Sequence, residues 1–68
     1  MKREAVISRA IRSVGYQTDT LELEFVDGDV YRYFLVPPSV FLKLMQAESK
    51  GAFFNDQIRD RYPTDGPL

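Results

Sequence analysis

Sixty-eight residues, 44% hydrophobic and 28% charged with a net charge of −1, describe one small globular domain. Folding at this length buries about 60% of the surface the unfolded chain exposes, so net stability is expected near ~3–5 kcal/mol. With no cysteine and no histidine, disulfides, Cys/His metal sites and histidine acid–base catalysis are excluded, and the near-neutral balance argues against a general nucleic-acid coat. The absence of cysteine fits a reducing compartment. No apolar run approaches the ~20 residues of a membrane span. After Met1-Lys2-Arg3, Glu4 and Ser8-Arg9 interrupt any apolar signal region, and the expected location is cytoplasmic.

Charge is unevenly spread. Residues 1–14 carry a balance of +3, residues 15–30 one of −5, and residues 31–62 one of +2. An acidic hairpin thus lies between two basic segments, and we read these mainly as solvated faces that pair with one another.

In chain order, Val6-Ile7 and then Ile11–Tyr16 read as extended, with Val14 and Tyr16 alternating and Gly15 suited to a bulge or a close backbone approach. Gln17-Thr18-Asp19 is a polar turn. A strand over about 11–16 then feeds one over about 20–26. Asp27-Gly28, between alternating runs, is the strongest short-range signal for a hairpin to a third strand over about 29–35. A two-residue Asp27-Gly28 loop would set Leu23 opposite Arg32. A three-residue Val26-Asp27-Gly28 loop, with Gly28 left-handed, sets Leu23 opposite Tyr31, Leu21 opposite Tyr33 and Glu22 opposite Arg32. Because a one-residue slip flips every side chain, the register with the cleaner apolar face is expected, and that is the second.

Val36-Pro37-Pro38 ends the strand and opens a helix over about 38–48, where Val40, Phe41, Leu44 and Met45 form one apolar stripe. Ser49 capping a second helix and Gly51 closing the first are both compatible with Ser49-Lys50-Gly51. The second helix, about 50–60, carries Phe54 and Ile58 at i, i+4. Residues 63–68 have the composition of a loose tail. The expected fold is α+β, a three-stranded antiparallel meander covered on one face by two short C-terminal helices.

Little here carries chemistry. The four glycines stand alone, so there is no phosphate loop, and Asp27-Gly28-Asp29 lacks the spaced ligands of a calcium loop. No catalytic residue, cofactor or metal site is expected. Tyr31 and Tyr33 can be read as a base-stacking platform or as core residues facing Leu21 and Leu23; we favour the core. Arg9, Arg12, Lys50, Arg59 and Arg61, with Tyr16, are the remaining candidates for contacting nucleic acid. Asp56 and Asp60 lie among the last two arginines and blunt them.

The chain resembles the KTSC domain family, which is recognised by a central Tyr-x-Tyr, here Tyr31-Arg32-Tyr33. Around it stand Ile11, Val14-Gly15-Tyr16, Val36-Pro37, Ala47, Ser49-Lys50-Gly51, Phe53-Phe54-Asn55, Ile58-Arg59 and Tyr62, so the resemblance covers about residues 4–62. It implies a small bacterial module, stand-alone or at the C-terminus of some lysyl-tRNA synthetases, without catalytic residues. RNA is the partner suggested by the synthetase context. The alternative is a protein-interaction module that offers an exposed strand edge or an apolar groove to an unknown protein.

Overall fold

The Asp27-Gly28 hairpin pairs Leu21 with Tyr33, Glu22 with Arg32 and Leu23 with Tyr31, which is the expected three-residue-loop register. Gly28 sits at φ +96°, the Gly28 amide donates to the Phe25 carbonyl, and the Phe25 amide donates to the Asp29 carbonyl. These features belong to a computed structural model that describes all 68 residues.

Five antiparallel strands form one sheet in chain order: β1 (Arg3–Ala5), β2 (Ile11–Gln17), β3 (Thr20–Phe25), β4 (Val30–Tyr33) and β5 (Thr64–Asp65). The central three match the expected meander. β1 and β5 are additions at its two edges. The first extended segment pairs at Arg3–Ala5 rather than at Val6-Ile7. At the other edge, residues 63–68 correct the expectation of a loose tail. Thr64 and Asp65 pair with Tyr33 and Arg32, the Phe34 amide donates to the Pro63 carbonyl, and the Leu68 amide donates to the Val30 carbonyl. Composition misled here because an edge strand needs only backbone partners, which the open side of β4 supplies.

Two helices follow β4: α1 (Pro38–Gln46) and α2 (Lys50–Gln57), each slightly shorter than expected. Pro38 occupies the first turn of α1, where its missing N–H costs nothing. The Ser49 hydroxyl accepts the Ala52 amide at 3.2 Å, so this serine caps α2.

The helices cover the face of the sheet that carries Val14, Leu21, Leu23 and Tyr33. With Ile11, Val36, Leu44, Phe54 and Ile58, these make a core of nine buried side chains. Edge-on rings knit it: Phe54 lies 5.2 Å from Phe25 and 5.5 Å from Tyr33. The crossover from β4 to α1 is tied to the β2–β3 turn. The Val36 amide donates to the Asp19 carbonyl at 2.8 Å, and the Tyr16 hydroxyl donates to the Val36 carbonyl at 2.6 Å. Thr18, Asp19 and Leu35 all hold positive φ, and these bonds keep that local strain in place.

The opposite face has no helix over it and is built from charge. Arg3, Gly15, Glu22, Arg32 and Asp65 are successive cross-strand partners and so share one row. Glu22 is only 3% exposed. Its carboxylate accepts from Arg3 Nη1 at 2.6 Å and from Arg32 Nε at 2.8 Å. Gly15 makes the first bond possible: a Cβ there would come within 3.0 Å of Arg3 Cγ and of the Lys2 carbonyl. The arginine therefore lies across a gap in β2 to reach a carboxylate on β3.

Candidate nucleic-acid interface

The candidate residues separate into three groups. The first is structural. The Tyr16 ring stacks on Phe41 at 4.7 Å and 10°, and its hydroxyl, already bound to Val36, stands 3.2 Å from an Asp19 carboxylate oxygen. Burial, and then the Asp19 carboxylate, push this phenol above its ordinary value. Tyr33 is 4% exposed and its ring meets Phe54 edge-on, so it offers no ring face to a base. Burial raises its phenol as well, with the Arg59 charge opposing. Tyr31 is half-buried, edge-on to Phe25 at 5.8 Å, and Gly66 approaches it so closely that an added Cβ would stand 2.7 Å from the ring. All three tyrosines serve packing.

The second group consists of cations engaged locally. Arg12 Nη2 donates to the Val26 carbonyl at 3.0 Å, and Arg12 Nη1 lies 3.8 Å from Glu24. Arg61 Nε donates to the Asp56 carbonyl at 3.0 Å, while Arg59 leans on Asn55 at 3.5 Å. These last two stand at the C-terminal end of α2, with Asp56 and Asp60 beside them in sequence. Neither lines the cleft that Arg9 lines, and Arg61 instead borders a separate one with Lys43 and Tyr62.

Arg9 and Lys50 form the third group. Both line a cleft of about 560 Å³ between the β1–β2 loop and the α1–α2 junction, together with Ser8, Glu48, Ser49 and Gly51. The Ser8 hydroxyl accepts the amides of Ala10 and Ile11 at 3.1 and 3.2 Å and thereby shapes the loop. Ala10 and Gly51 pack so closely that a Cβ on Gly51 would stand 3.0 Å from that of Ala10, which draws the loop against the start of α2. Lys50 Nζ gives one hydrogen bond to the Ala47 carbonyl at 3.1 Å and keeps two donors. The exposed Arg9 guanidinium makes no hydrogen bond or ion pair within the protein. Glu48 is the one acid in the cleft. The positive end of the α2 backbone dipole adds to the two cations.

Sequence reasoning did not single out Ser8 and Ser49 as partners in one site. Their signal was local, a serine before a strand and a serine before a helix, and only the fold brings the two turns together. Nor did it find the buried Glu22 pair with Arg3, whose sole trace was a glycine where β2 alternates toward the acidic strand.

The KTSC domain family model matches residues 7–62. The chain belongs to that family. This KTSC domain is 42% identical over 64 residues to an uncharacterised protein of Stutzerimonas stutzeri strain A1501, covering 91% of this chain and 90% of that one. It is 46% identical over 54 residues to a lysine–tRNA ligase of Nostoc punctiforme, covering 76% of this chain but 10% of the ligase. The crystal structure of a KTSC domain protein from Yersinia pestis superposes with a TM-score of 0.90 at 35% identity, covering 94% of this chain and 93% of that one. No helix of this domain is long and apolar enough to cross a membrane. No group of three or more acidic, histidine or cysteine side chains is placed to hold a metal ion.

Proposed function

We propose that this KTSC domain is a small non-catalytic RNA-binding module that contacts the phosphate backbone through the Arg9–Lys50 cleft. The observation that carries the reading is the convergence of these two cations at the start of α2, with the Arg9 guanidinium free of any protein partner. Helix N-termini favour anions, and the loop serines are positioned by their own backbone bonds. The likeness to a segment of a lysine–tRNA ligase adds the context of a protein named for tRNA. Contact is local, because the hairpin tip with Asp27 and Asp29 repels phosphate.

Two neutralised phosphates on a single strand give a salt slope of about −1.4, so binding is weak and falls only about sevenfold for a fourfold rise in salt. An NMR titration with short single-stranded RNA at low and moderate salt tests the proposal. Shifts are expected at Ser8–Ala10 and Ser49–Ala52. Arg9→Glu with Lys50→Glu is expected to weaken binding more than Arg59→Glu with Arg61→Glu, both pairs leaving the fold intact. Silence at low salt, where electrostatic binding is strongest, overturns the reading.

A further inference from the structure

Ile7 lines the Arg9–Lys50 cleft and is 98% exposed, a whole aliphatic side chain left in water beside two cations. It is not a slack loop tip. On one side Val6 packs against the core, and its amide donates to the Arg12 carbonyl at 3.1 Å. On the other, the Ser8 hydroxyl accepts two backbone amides. The chain thus holds Ile7 out between two anchored neighbours, where it covers nothing in the protein. Glu48 is left in a similar state. It shares the cleft with Arg9 and Lys50, yet its carboxylate makes no ion pair or hydrogen bond with either. Lys50 Nζ turns to the Ala47 carbonyl instead. One cleft of about 560 Å³, within the ~300–1,000 Å³ range of small-ligand sites, therefore holds two cations, one free carboxylate and one bare isoleucine.

We infer, resting on the RNA-binding reading above, that this cleft takes a single unstacked nucleotide whose base carries an exocyclic amino group. Arg9 and Lys50 hold the phosphate. Ile7 lies against the face of the base, as aliphatic wedges do where they part neighbouring bases. Glu48 accepts from the amino group on the Watson–Crick edge, which is the edge open in a single strand. A carboxylate accepts such a donor as it accepts cytosine N4. Uracil offers it only a ring N–H flanked by two carbonyl oxygens, which repel the charge. Adenine, cytosine and guanine therefore suit the cleft and uracil does not. A duplex does not suit it either, because its bases are stacked and their pairing edges are occupied.

NMR titrations of the full chain at low salt compare tetracytidylate, tetrauridylate and an abasic tetramer of the same backbone. A buried hydrogen bond to a charged group changes affinity by about tenfold or more. Glu48 is exposed, so a smaller preference, about fivefold for cytidine over uridine, is expected. Glu48→Gln is expected to abolish that preference, because an amide can accept from the amino group or donate to a uracil oxygen. Loss of a merely repulsive charge would instead raise both affinities together and leave their ratio unchanged. Ile7→Ala is expected to weaken tetracytidylate by about threefold, leaving the abasic tetramer and the thermal midpoint unaffected. Equal binding of tetracytidylate and tetrauridylate, a ratio unmoved by Glu48→Gln, or an Ile7→Ala effect that is absent or shared by the abasic tetramer overturns the inference. If Arg9→Glu with Lys50→Glu still abolishes binding of all three, the phosphate-contact reading stands without it. Silence with all three at low salt overturns both.

Discussion

Glu22→Gln isolates the buried charge that joins three strands. The substitution keeps volume and one acceptor but removes the negative charge at which two guanidinium groups point, at 2.6 and 2.8 Å. A hydrogen bond to a charged group contributes about 1.5–3 kcal/mol. That figure is reduced here, because the Arg3 and Arg32 side chains are 31% and 43% exposed and recover hydration when released. A net loss of about 1–3 kcal/mol follows, a large share of the ~3–5 kcal/mol expected for so small a domain. At roughly 4–8 °C per kcal/mol, the midpoint should drop by about 5–20 °C.

The pH dependence gives the sharper test. Burial by itself would raise the Glu22 carboxyl; the hydrogen bonds from Arg32 and Arg3 outweigh it and hold the group below its ordinary value of 4.5. A carboxyl lowered by folding contributes stability above its unfolded value and loses it as pH falls through the folded one. Urea unfolding of both proteins should therefore show the full gap at neutral pH, narrowing only below the ordinary carboxylate range. A neutral-pH gap under about 0.5 kcal/mol, or one that persists undiminished near about pH 2, would refute the reasoning.

Leu23→Ala and Ile58→Ala each open a cavity at a fully buried position and should cost about 2–5 kcal/mol, leaving the domain mostly unfolded at 37 °C. Cooperative melting within a few degrees of wild type would place the core elsewhere. Tyr16→Phe keeps the stack on Phe41 but leaves the Val36 carbonyl without its 2.6 Å donor. A loss of about 1–2 kcal/mol, with faster amide exchange at Val36, is the expected result by denaturant titration and hydrogen exchange.

The central hairpin was legible because two independent local signals agreed. A glycine at the left-handed turn position and an apolar alternation that only one register satisfies leave little for the rest of the molecule to decide. The helical stripe of Val40, Phe41, Leu44 and Met45 and the Phe54–Ile58 pair were legible for the same reason, periodicity being a property of the chain itself. The role of Ser49 was open from sequence, since capping depends on which backbone amide comes within reach, and the fold settled it on Ala52.

The edges were not legible. β1 and β5 are three and two residues long, too short to show alternation, and they exist because β2 and β4 leave backbone donors and acceptors that a neighbouring segment can satisfy. The candidate site divides along the same line. Residue type identified Arg9 and Lys50 as cations, as it did Arg12, Arg59 and Arg61. Only the fold decided that the first two share a cleft while the others bind nearby backbone or side-chain oxygens. Glu22 shows the limit most clearly. By type it is one of five acids in a solvated hairpin, yet it is buried, because Gly15, the cross-strand partner of Arg3, leaves room for the Arg3 side chain to cross. Local alternation and turn chemistry are written in consecutive residues, whereas burial of a charge depends on what distant segments lay over it.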